Sequence, residues 1–261
     1  MIIEGAISVK AAIQNKKRII NTVYIVSSKK TKDFNYIRKI CKLNNLNLKE
    51  ISEEEIMSIV SGKSHGGICA DVSNRNNDEF DQGDIFYLDG IEDPFNLGYS
   101  MRTLYAFGIK NVLLSKRDYS YMEVQLLKSS AGAYDMLNIK VSDDSLKDIK
   151  ELKNNGYYLY GLYRGENSKD VFEVSFKQKA LFMLGGEKRG ISSELLNMCD
   201  EHLFISYGSD FRNSLNACAA LDTVATLLYK QRKNSWLHLW IIKKLKNIVS
   251  YIKRSIVMEN I

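Results

Sequence analysis

The chain has 261 residues, of which 45 % are hydrophobic and 26 % are charged, and its net charge is +6. This composition is that of a globular protein and excludes a disordered chain or a collagen-like repeat. The charge is uneven, with +6 on residues 1–75, −7 on residues 76–229 and +7 on residues 230–261, which fits either basic flanks that hold a polyanion or solvated helix faces.

The first 75 residues alternate helical and strand-like patterns, which predicts a small α/β unit. Three segments repeat apolar residues at helical spacing, and two are rich in β-branched residues. The predicted helices cover residues 7–18, 33–44 and 53–60, and the predicted strands cover residues 22–27 and 67–72. The acidic, Asn-rich residues 76–84 that follow have the composition of a linker.

Residues 85–230 continue this alternation on a larger scale. Several strand segments are uninterrupted apolar runs, which is typical of a parallel sheet covered by helices on both faces. The predicted strands cover residues 85–88, 111–114, 137–141, 157–162, 180–184 and 202–206, and the predicted helices cover residues 98–107, 122–129, 145–153 and 192–199. A longer final helix is predicted to begin near Ser214.

The cysteines and histidines lack the spacing of a metal site. The chain has four cysteines and three histidines, and no two cysteines stand at C-x-x-C spacing. We therefore expect no bound metal, and we expect reduced thiols as in a cytoplasmic protein. Since the sequence shows no secretory signal pattern and no run of about 18 apolar residues, we also expect no membrane span.

Three loops that follow predicted strands are the candidate ligand-binding elements, because ligands of open α/β sheets bind at the carboxyl ends of the strands. The first loop holds the only proline of the chain, Pro94. We predict that the side-chain oxygen of Asn96 caps the next helix. Arg102 lies six residues later, among mostly apolar neighbours.

The second and third loops are rich in glycine and small residues. Glycines at positions 185, 186 and 190 permit a ligand to approach the backbone closely. The third loop, residues 205–216, leads into the final helix, for which Ser214 is the predicted N-cap.

In this order, the three loops resemble the three motifs of the SpoU (TrmH-like) family of RNA ribose 2′-O-methyltransferases, of the SPOUT class. The matching residues are Asn96 and Arg102 in the first motif, Gly185, Glu187 and Gly190 in the second, and Ser214, Leu215 and Asn216 in the third. The third motif departs from the family pattern, since Ser206 stands where a proline is usual.

The resemblance implies a domain organisation. Residues 1–75 are similar to an L30-like substrate-binding domain, and residues 85–230 would form the methyltransferase domain, a SPOUT-type parallel sheet with a C-terminal trefoil knot. General topology rules disfavour knots, so the knot rests on the resemblance alone.

The resemblance also implies a reaction, methyl transfer from S-adenosylmethionine to a ribose 2′-hydroxyl of RNA by a homodimer. Ribosomal RNA of the 23S class is the favoured substrate. The implied catalytic residues are Arg102, Asn96, Glu187, Ser214 and Asn216, and the implied cofactor-binding residues are Leu184, Gly185, Gly190, Ile205 and Leu215. No metal is implied.

Arg102 has two possible roles. The three motifs contain no histidine that could act as a base, and the family assigns a base or orienting role to the arginine at this position. A guanidinium group has a pKa above 12 and gives up its proton reluctantly. Both an assisted base and a clamp on a substrate phosphate therefore remain open for Arg102.

Three other functions compete with this one. A Rossmann-type dinucleotide enzyme would need a G-x-G-x-x-G pattern after its first strand, which this chain lacks. A tRNA ribose methyltransferase and a non-catalytic RNA-binding protein on the same fold remain open.

The resemblance to the family does not extend to the basic residues 231–261. Apolar residues from Leu237 to Ile256 recur at spacings of three and four, which predicts an amphipathic helix. Such a helix could pack on its own catalytic domain, extend a basic RNA-binding surface, or lie on an anionic membrane.

Overall fold

The computed structural model describes residues 1–62, 64–186 and 189–234, and these fold around two sheets. Most of the helix predicted over residues 231–261 therefore lies outside the described residues. Among the residues described, no helix is both long enough and apolar enough to cross a bilayer.

The N-terminal sheet has four strands in the order β1–β4–β2–β3. Strands β2 and β3 are parallel, and β4 pairs antiparallel with both β1 and β2. The elements are β1 (Ile2–Glu4), α1 (Ala6–Asn15), β2 (Ile20–Val26), α2 (Lys32–Leu43), β3 (Leu48–Ile51), α3 (Glu53–Ile59) and β4 (Ile68–Val72). The small α/β unit predicted for residues 1–75 is thus present, with two strands that the sequence patterns did not reveal.

The second sheet has seven parallel strands in the order β7–β6–β5–β10–β8–β11–β9. Its strands are β5 (Ile85–Asp89), β6 (Asn111–Leu114), β7 (Asn138–Val141), β8 (Tyr158–Leu162), β9 (Lys169–Asp170), β10 (Ala180–Gly185) and β11 (Glu201–Phe204). The central strands are buried along nearly their whole length. Apolar runs form such strands because helices cover both faces, and the predicted parallel sheet is confirmed.

Helices connect these strands. They are α4 (Pro94–Ala106), α5 (Glu123–Ser129), α6 (Ser145–Asn154) and α7 (Ser193–Met198), followed by helical residues 217–234, called α8 here. The knot predicted from the family resemblance stays a prediction.

The start of α4 corrects one prediction. The N-cap is Asp93, whose carboxylate accepts hydrogen bonds from the backbone N–H groups of Phe95 and Asn96. Pro94 occupies the first helical turn, where its fixed φ suits the helix and its missing N–H costs nothing. Asn96 therefore lies inside the helix, and the predicted capping role of its side chain is wrong.

The start of α8 corrects a second prediction. The helix begins three residues after Ser214, and the side-chain oxygen of Asn216 accepts a hydrogen bond of 2.8 Å from the N–H of Cys218. Asn216, not Ser214, therefore caps this helix, since the side chain of an N-cap bonds to an N–H two or three residues ahead.

The segment 76–84, predicted to be a linker, has no helix or strand but is hydrogen-bonded to β7. The N–H of Asp78 donates to the carbonyl of Ile139, and the N–H of Ile139 donates back to the Asp78 carboxylate. The side-chain oxygen of Asn77 accepts from the N–H of Val141 in the same way. The segment thus covers one edge of the seven-stranded sheet, an edge that would otherwise be open to pairing.

Buried ion pairs join the N-terminal unit to the unit that contains the seven-stranded sheet. The Arg18 guanidinium, which follows α1, donates to both carboxylate oxygens of Asp135 at 2.8 and 2.9 Å and to Glu123 at 2.7 Å. The side chains of Arg18 and Asp135 are fully buried. A second contact links β1 to α5, where Lys128 donates to Glu4 at 2.6 Å.

Candidate active site

A cavity of about 300 Å³ lies at the carboxyl ends of β8, β10 and β11. This is the edge at which open parallel sheets bind ligands, and the volume is in the range of small-molecule sites. The structure brings all five predicted cofactor-binding residues to the wall of this cavity: Leu184, Gly185, Gly190, Ile205 and Leu215. Ser214, predicted as catalytic, also lines it.

The glycines of the second loop are required by close backbone contacts. A Cβ atom at Gly185 would overlap the backbone of Gly190, and one at Gly186 would overlap the carbonyl of Gly90 in the first loop. Gly190 has a φ of +64° and donates its N–H to the carbonyl of Gly186 at 2.9 Å. The chain therefore turns back on itself beside the cavity in a way that only glycine permits. Glu187, predicted as catalytic, lies outside the described residues.

The first and third motifs meet where α4 packs against α8. The Cys218 thiol donates to the carbonyl of Asn96 at 2.8 Å and lies 3.2 Å from the Ser100 hydroxyl. Burial raises the pKa of the Cys218 thiol, so the group keeps its proton and acts as a donor. Asn96 and Asn216, at the two helix starts, are thereby held on neighbouring elements.

Arg102 lies apart from the cavity on the exposed face of α4. It shares this face with Phe95 and Tyr99, whose surfaces are 48 % and 50 % exposed. Positions 95, 99 and 102 are spaced four and three residues apart and so form one stripe of the helix. Among the described residues Arg102 has no hydrogen-bond or ion-pair partner. Within one chain, the structure therefore does not bring Arg102 to the cavity wall.

Four residues of the cavity wall that carry polar side chains were not among the predicted site residues: Tyr163, Arg164, Tyr207 and Arg212. They lie just after β8 and in the third loop, outside the positions that the motifs specify. One available signal was that the segment after β8 ends at the same carboxyl edge as the other loops.

Comparison with known proteins places these features in a family. The model of the SpoU rRNA Methylase family matches residues 84–226. A second model, RNA 2′-O ribose methyltransferase substrate binding, matches residues 2–77. A TrmH family tRNA/rRNA methyltransferase relative from Staphylococcus saprophyticus is 28 % identical over 243 residues, which is 89 % of this chain and 96 % of that protein.

Solved structures share the fold. The SpoU methyltransferase AviRb from Streptomyces viridochromogenes, crystallised with its cofactor AdoMet (S-adenosylmethionine), aligns with a TM-score of 0.72 at 17 % identity over 89 % of this chain and 90 % of that one. The TrmH/SpoU tRNA modifying enzyme of A. aeolicus aligns with a TM-score of 0.55 at 19 % identity, over 60 % of this chain and 79 % of that one. Since the methylase family model spans more than half of the chain and the substrate-binding model spans most of the remainder, this protein is a member of the SpoU family of RNA methyltransferases.

Proposed function

We propose that this protein transfers a methyl group from S-adenosylmethionine to a ribose 2′-hydroxyl of ribosomal RNA, and that it does so as a homodimer. The observation that carries the proposal is the convergence of the second and third motif loops on one cavity at the carboxyl edge of the sheet. The α4–α8 contact holds the first motif next to the third.

The cavity suits S-adenosylmethionine in its size and chemistry. Apolar side chains such as Leu184, Ile205 and Leu215 line part of it, which fits a nucleoside ring. Backbone groups exposed by the glycines supply hydrogen-bonding positions close to a ligand. When bound, the cofactor supplies an activated methyl group on its sulfonium sulfur. Leu184, Gly185, Gly190, Ile205 and Leu215 would hold it.

The residues around the cavity have to position the ribose and assist the loss of its proton. Alignment of bound reactants can account for several kcal/mol of the barrier, up to roughly 7–11 kcal/mol. Asn96, Glu187, Ser214 and Asn216 would order the acceptor. Arg102 would clamp a neighbouring phosphate through its planar fork of donors or take part in removing the proton.

The exposed position of Arg102 supports a homodimer. The stripe formed by Phe95, Tyr99 and Arg102 presents two large aromatic side chains to solvent, and aromatic and arginine side chains are enriched at protein interfaces. A second copy that covers this stripe would bury the aromatic rings and bring its Arg102 to a site that one chain leaves without it. We therefore assign one Arg102 per site to the opposite subunit.

The N-terminal unit favours ribosomal RNA over tRNA. Residues 2–77 match the substrate-binding model, whereas the aligned tRNA modifying enzyme covers only 60 % of this chain. Residues 1–75 carry a net charge of +6, which suits contacts with phosphates. Such a substrate implies a cytoplasmic location.

A methylation assay tests the proposal. Ribosomal RNA and tRNA from a strain that lacks this protein would be incubated with the purified protein and a labelled methyl donor, and the labelled nucleotide would be mapped. We expect label at a 2′-hydroxyl of ribosomal RNA. Label in tRNA alone would support the tRNA alternative, and cofactor binding or RNA binding without any label would support the non-catalytic alternative.

A further inference from the structure

Arg164 and Tyr207 form a stacked pair at the cavity wall, and neither belongs to the three motifs. The Arg164 guanidinium carbon lies 4.5 Å from the centre of the Tyr207 ring. The same guanidinium donates to the carbonyl of Ile205 at 3.2 Å. Arg164 therefore connects the end of β8 to the beginning of the third loop.

Tyr207 in turn connects the beginning of the third loop to its end. Its hydroxyl accepts a hydrogen bond of 3.2 Å from the N–H of Leu215, eight residues later. The loop between them is polar, and residues 208–214 are exposed. A loop of this kind loses conformational entropy when a ligand orders it. A contact that closes the loop beforehand reduces that cost.

We propose that Arg164 and Tyr207 are positioning residues for the cofactor, which act by holding Ile205 and Leu215 in place as two sides of the cavity. This inference rests on the proposed function, because it assumes that the cavity binds S-adenosylmethionine. Planar stacking and the fork of N–H donors make arginine, and not lysine, the residue suited to position 164.

The position of the pair also fits the departure of the third motif from the family pattern. Ser206 stands where a proline is usual, and a proline would restrict the backbone at this point. The Arg164–Tyr207–Leu215 contacts supply a restraint from side chains at the same place in the loop. The two ends of the loop are thereby fixed without a rigid residue within it.

Titration calorimetry with S-adenosylmethionine and with its demethylated product, S-adenosylhomocysteine, tests the inference on the full-length protein. The variants are Tyr207→Phe, which removes only the hydroxyl, and Arg164→Lys and Arg164→Gln, which remove the planar group. We expect each to raise the Kd of both ligands by roughly three- to tenfold. The double variant Tyr207→Phe/Arg164→Gln should weaken binding by less than the product of the single effects, because both side chains restrain one loop.

Two controls separate positioning from general stability. Tyr121→Phe changes a tyrosine that is 70 % exposed, and Arg38→Gln changes an arginine of the N-terminal unit paired with Glu50. Both should bind the cofactor as the unaltered protein does. All variants should melt within about 2 °C of the unaltered protein. In the Tyr207 and Arg164 variants, saturating cofactor should restore kcat, and the KM for RNA should stay unchanged.

The outcomes distinguish this inference from the proposed function. If the unaltered protein binds the cofactor and the Tyr207 and Arg164 variants bind within twofold of it, the inference fails and the proposed function stands. If Tyr207→Phe binds more tightly, the hydroxyl competes with the ligand for the Leu215 N–H, which also overturns the inference. If the unaltered protein binds neither ligand, both proposals fail.

Discussion

At the scale of single residues, Arg102 is the residue to which we assign a direct part in methyl transfer. Its side chain is exposed on α4 and lies outside the cavity wall of its own chain. A residue in this position contributes little to the core, so its replacement should leave folding intact. If the variant still forms the proposed dimer, any large effect on methyl transfer would then come from the reaction itself.

We predict that Arg102→Ala lowers kcat by roughly a hundredfold or more, as removal of a group that stabilises developing charge does, and leaves the cofactor Kd within twofold. Arg102→Lys separates the two proposed roles. If Arg102 clamps a phosphate, Arg102→Lys should retain part of the activity through its positive charge. If Arg102 is an assisted base, Arg102→Lys should show an altered pH–rate profile. Turnover by Arg102→Ala at the rate of the unaltered protein would exclude both roles.

In the second loop, Gly185 and Gly186 leave no room for a side chain beside the cavity. We predict that Gly185→Ala abolishes cofactor binding, because the added Cβ would overlap the backbone of Gly190. Gly208→Ala is the matched control in the third loop, where no atom lies within 4 Å of the added Cβ and φ is ordinary. In calorimetry, we expect Gly208→Ala to bind S-adenosylmethionine and Gly185→Ala not to bind it. Normal binding by Gly185→Ala would mean that the loop does not need this close contact.

At the scale of elements, the packing of α4 against α8 brings the first and third motifs together. Gly98 lets α4 approach α5 closely, since a Cβ at this position would overlap the Ser129 side chain. Where α4 touches α8, the Cys218 thiol donates to the carbonyl of Asn96 and lies beside the Ser100 hydroxyl. The hydrogen bond of one side chain thus fixes the separation of two helices that carry candidate catalytic residues.

We predict that Cys218→Ser retains activity and that Cys218→Ala reduces both activity and stability. Serine keeps a donor at the same place, whereas alanine removes it at a cost of about 1 kcal/mol. Thermal melting and methyl transfer assays measure the two effects. Cys199→Ala is the control, since Cys199 lies at the end of α7 and its thiol donates to the carbonyl of Leu195, four residues earlier in the same helix. Equal activity of the serine and alanine variants would show that the hydrogen bond is unimportant.

At the scale of the whole molecule, the buried ion pairs of Arg18 bind the N-terminal unit to the methyltransferase unit. Arg18 neutralises Glu123 and Asp135, which are 105 and 117 residues away in the sequence. Deletion of the first 75 residues would remove this partner from both carboxylates and expose the surface that the N-terminal unit covers. The RNA contribution of the N-terminal unit is therefore best measured in the full chain, by replacement of exposed lysines.

We predict that Arg18→Ala destabilises the protein by roughly 3–5 kcal/mol, as the loss of one partner of a buried pair does. Arg38→Ala removes an arginine from a partly exposed pair with Glu50 and should cost less than about 1 kcal/mol. Urea unfolding of both variants gives the comparison. A small effect of Arg18→Ala would indicate that the two units do not depend on this contact.

The second contact between the units gives a pH dependence. Burial alone would raise the pKa of the Glu4 carboxyl, but hydrogen bonds from Lys128 and from the N–H groups of Gly62 and Ser61 outweigh it, and the pKa is lowered from its usual value of 4.5. A carboxyl with a lowered pKa in the folded state stabilises the protein fully above the unfolded-state pKa. This stabilisation is lost as the pH falls below 4.5 and through the folded-state pKa.

We therefore predict that Glu4→Gln is less stable than the unaltered protein at neutral pH and that the difference shrinks below about pH 4.5. Urea unfolding of both proteins between about pH 7 and pH 3 measures this. A difference that does not change with pH would show that the ionised carboxylate is not what stabilises the contact.

The sequence by itself determined the features that local patterns encode. Apolar runs specified the strands of the parallel sheet, because a strand covered on both faces must be apolar throughout. Local motifs alone indicate the family. They are the spacing of Asn96 to Arg102, the glycines around Glu187 and the Ser214–Asn216 tripeptide. Strands β1 and β9 were missed because two or three residues are too few for a periodic pattern. Strand β3 was missed because the exposed Lys49 and Glu50 interrupt its apolar residues.

Only the tertiary structure decided which groups meet. The structure shows Asp93 as the cap of α4 and Asn216 as the cap of α8, where the sequence pattern favoured Asn96 and Ser214. The contact between Arg18 and Asp135, like that between Arg164 and Tyr207, joins residues far apart in the sequence. No local pattern records such a contact, since it is produced by the way in which separate elements pack. The sequence therefore identifies the chemistry of this protein, and the packing of its elements determines which side chains surround the cavity.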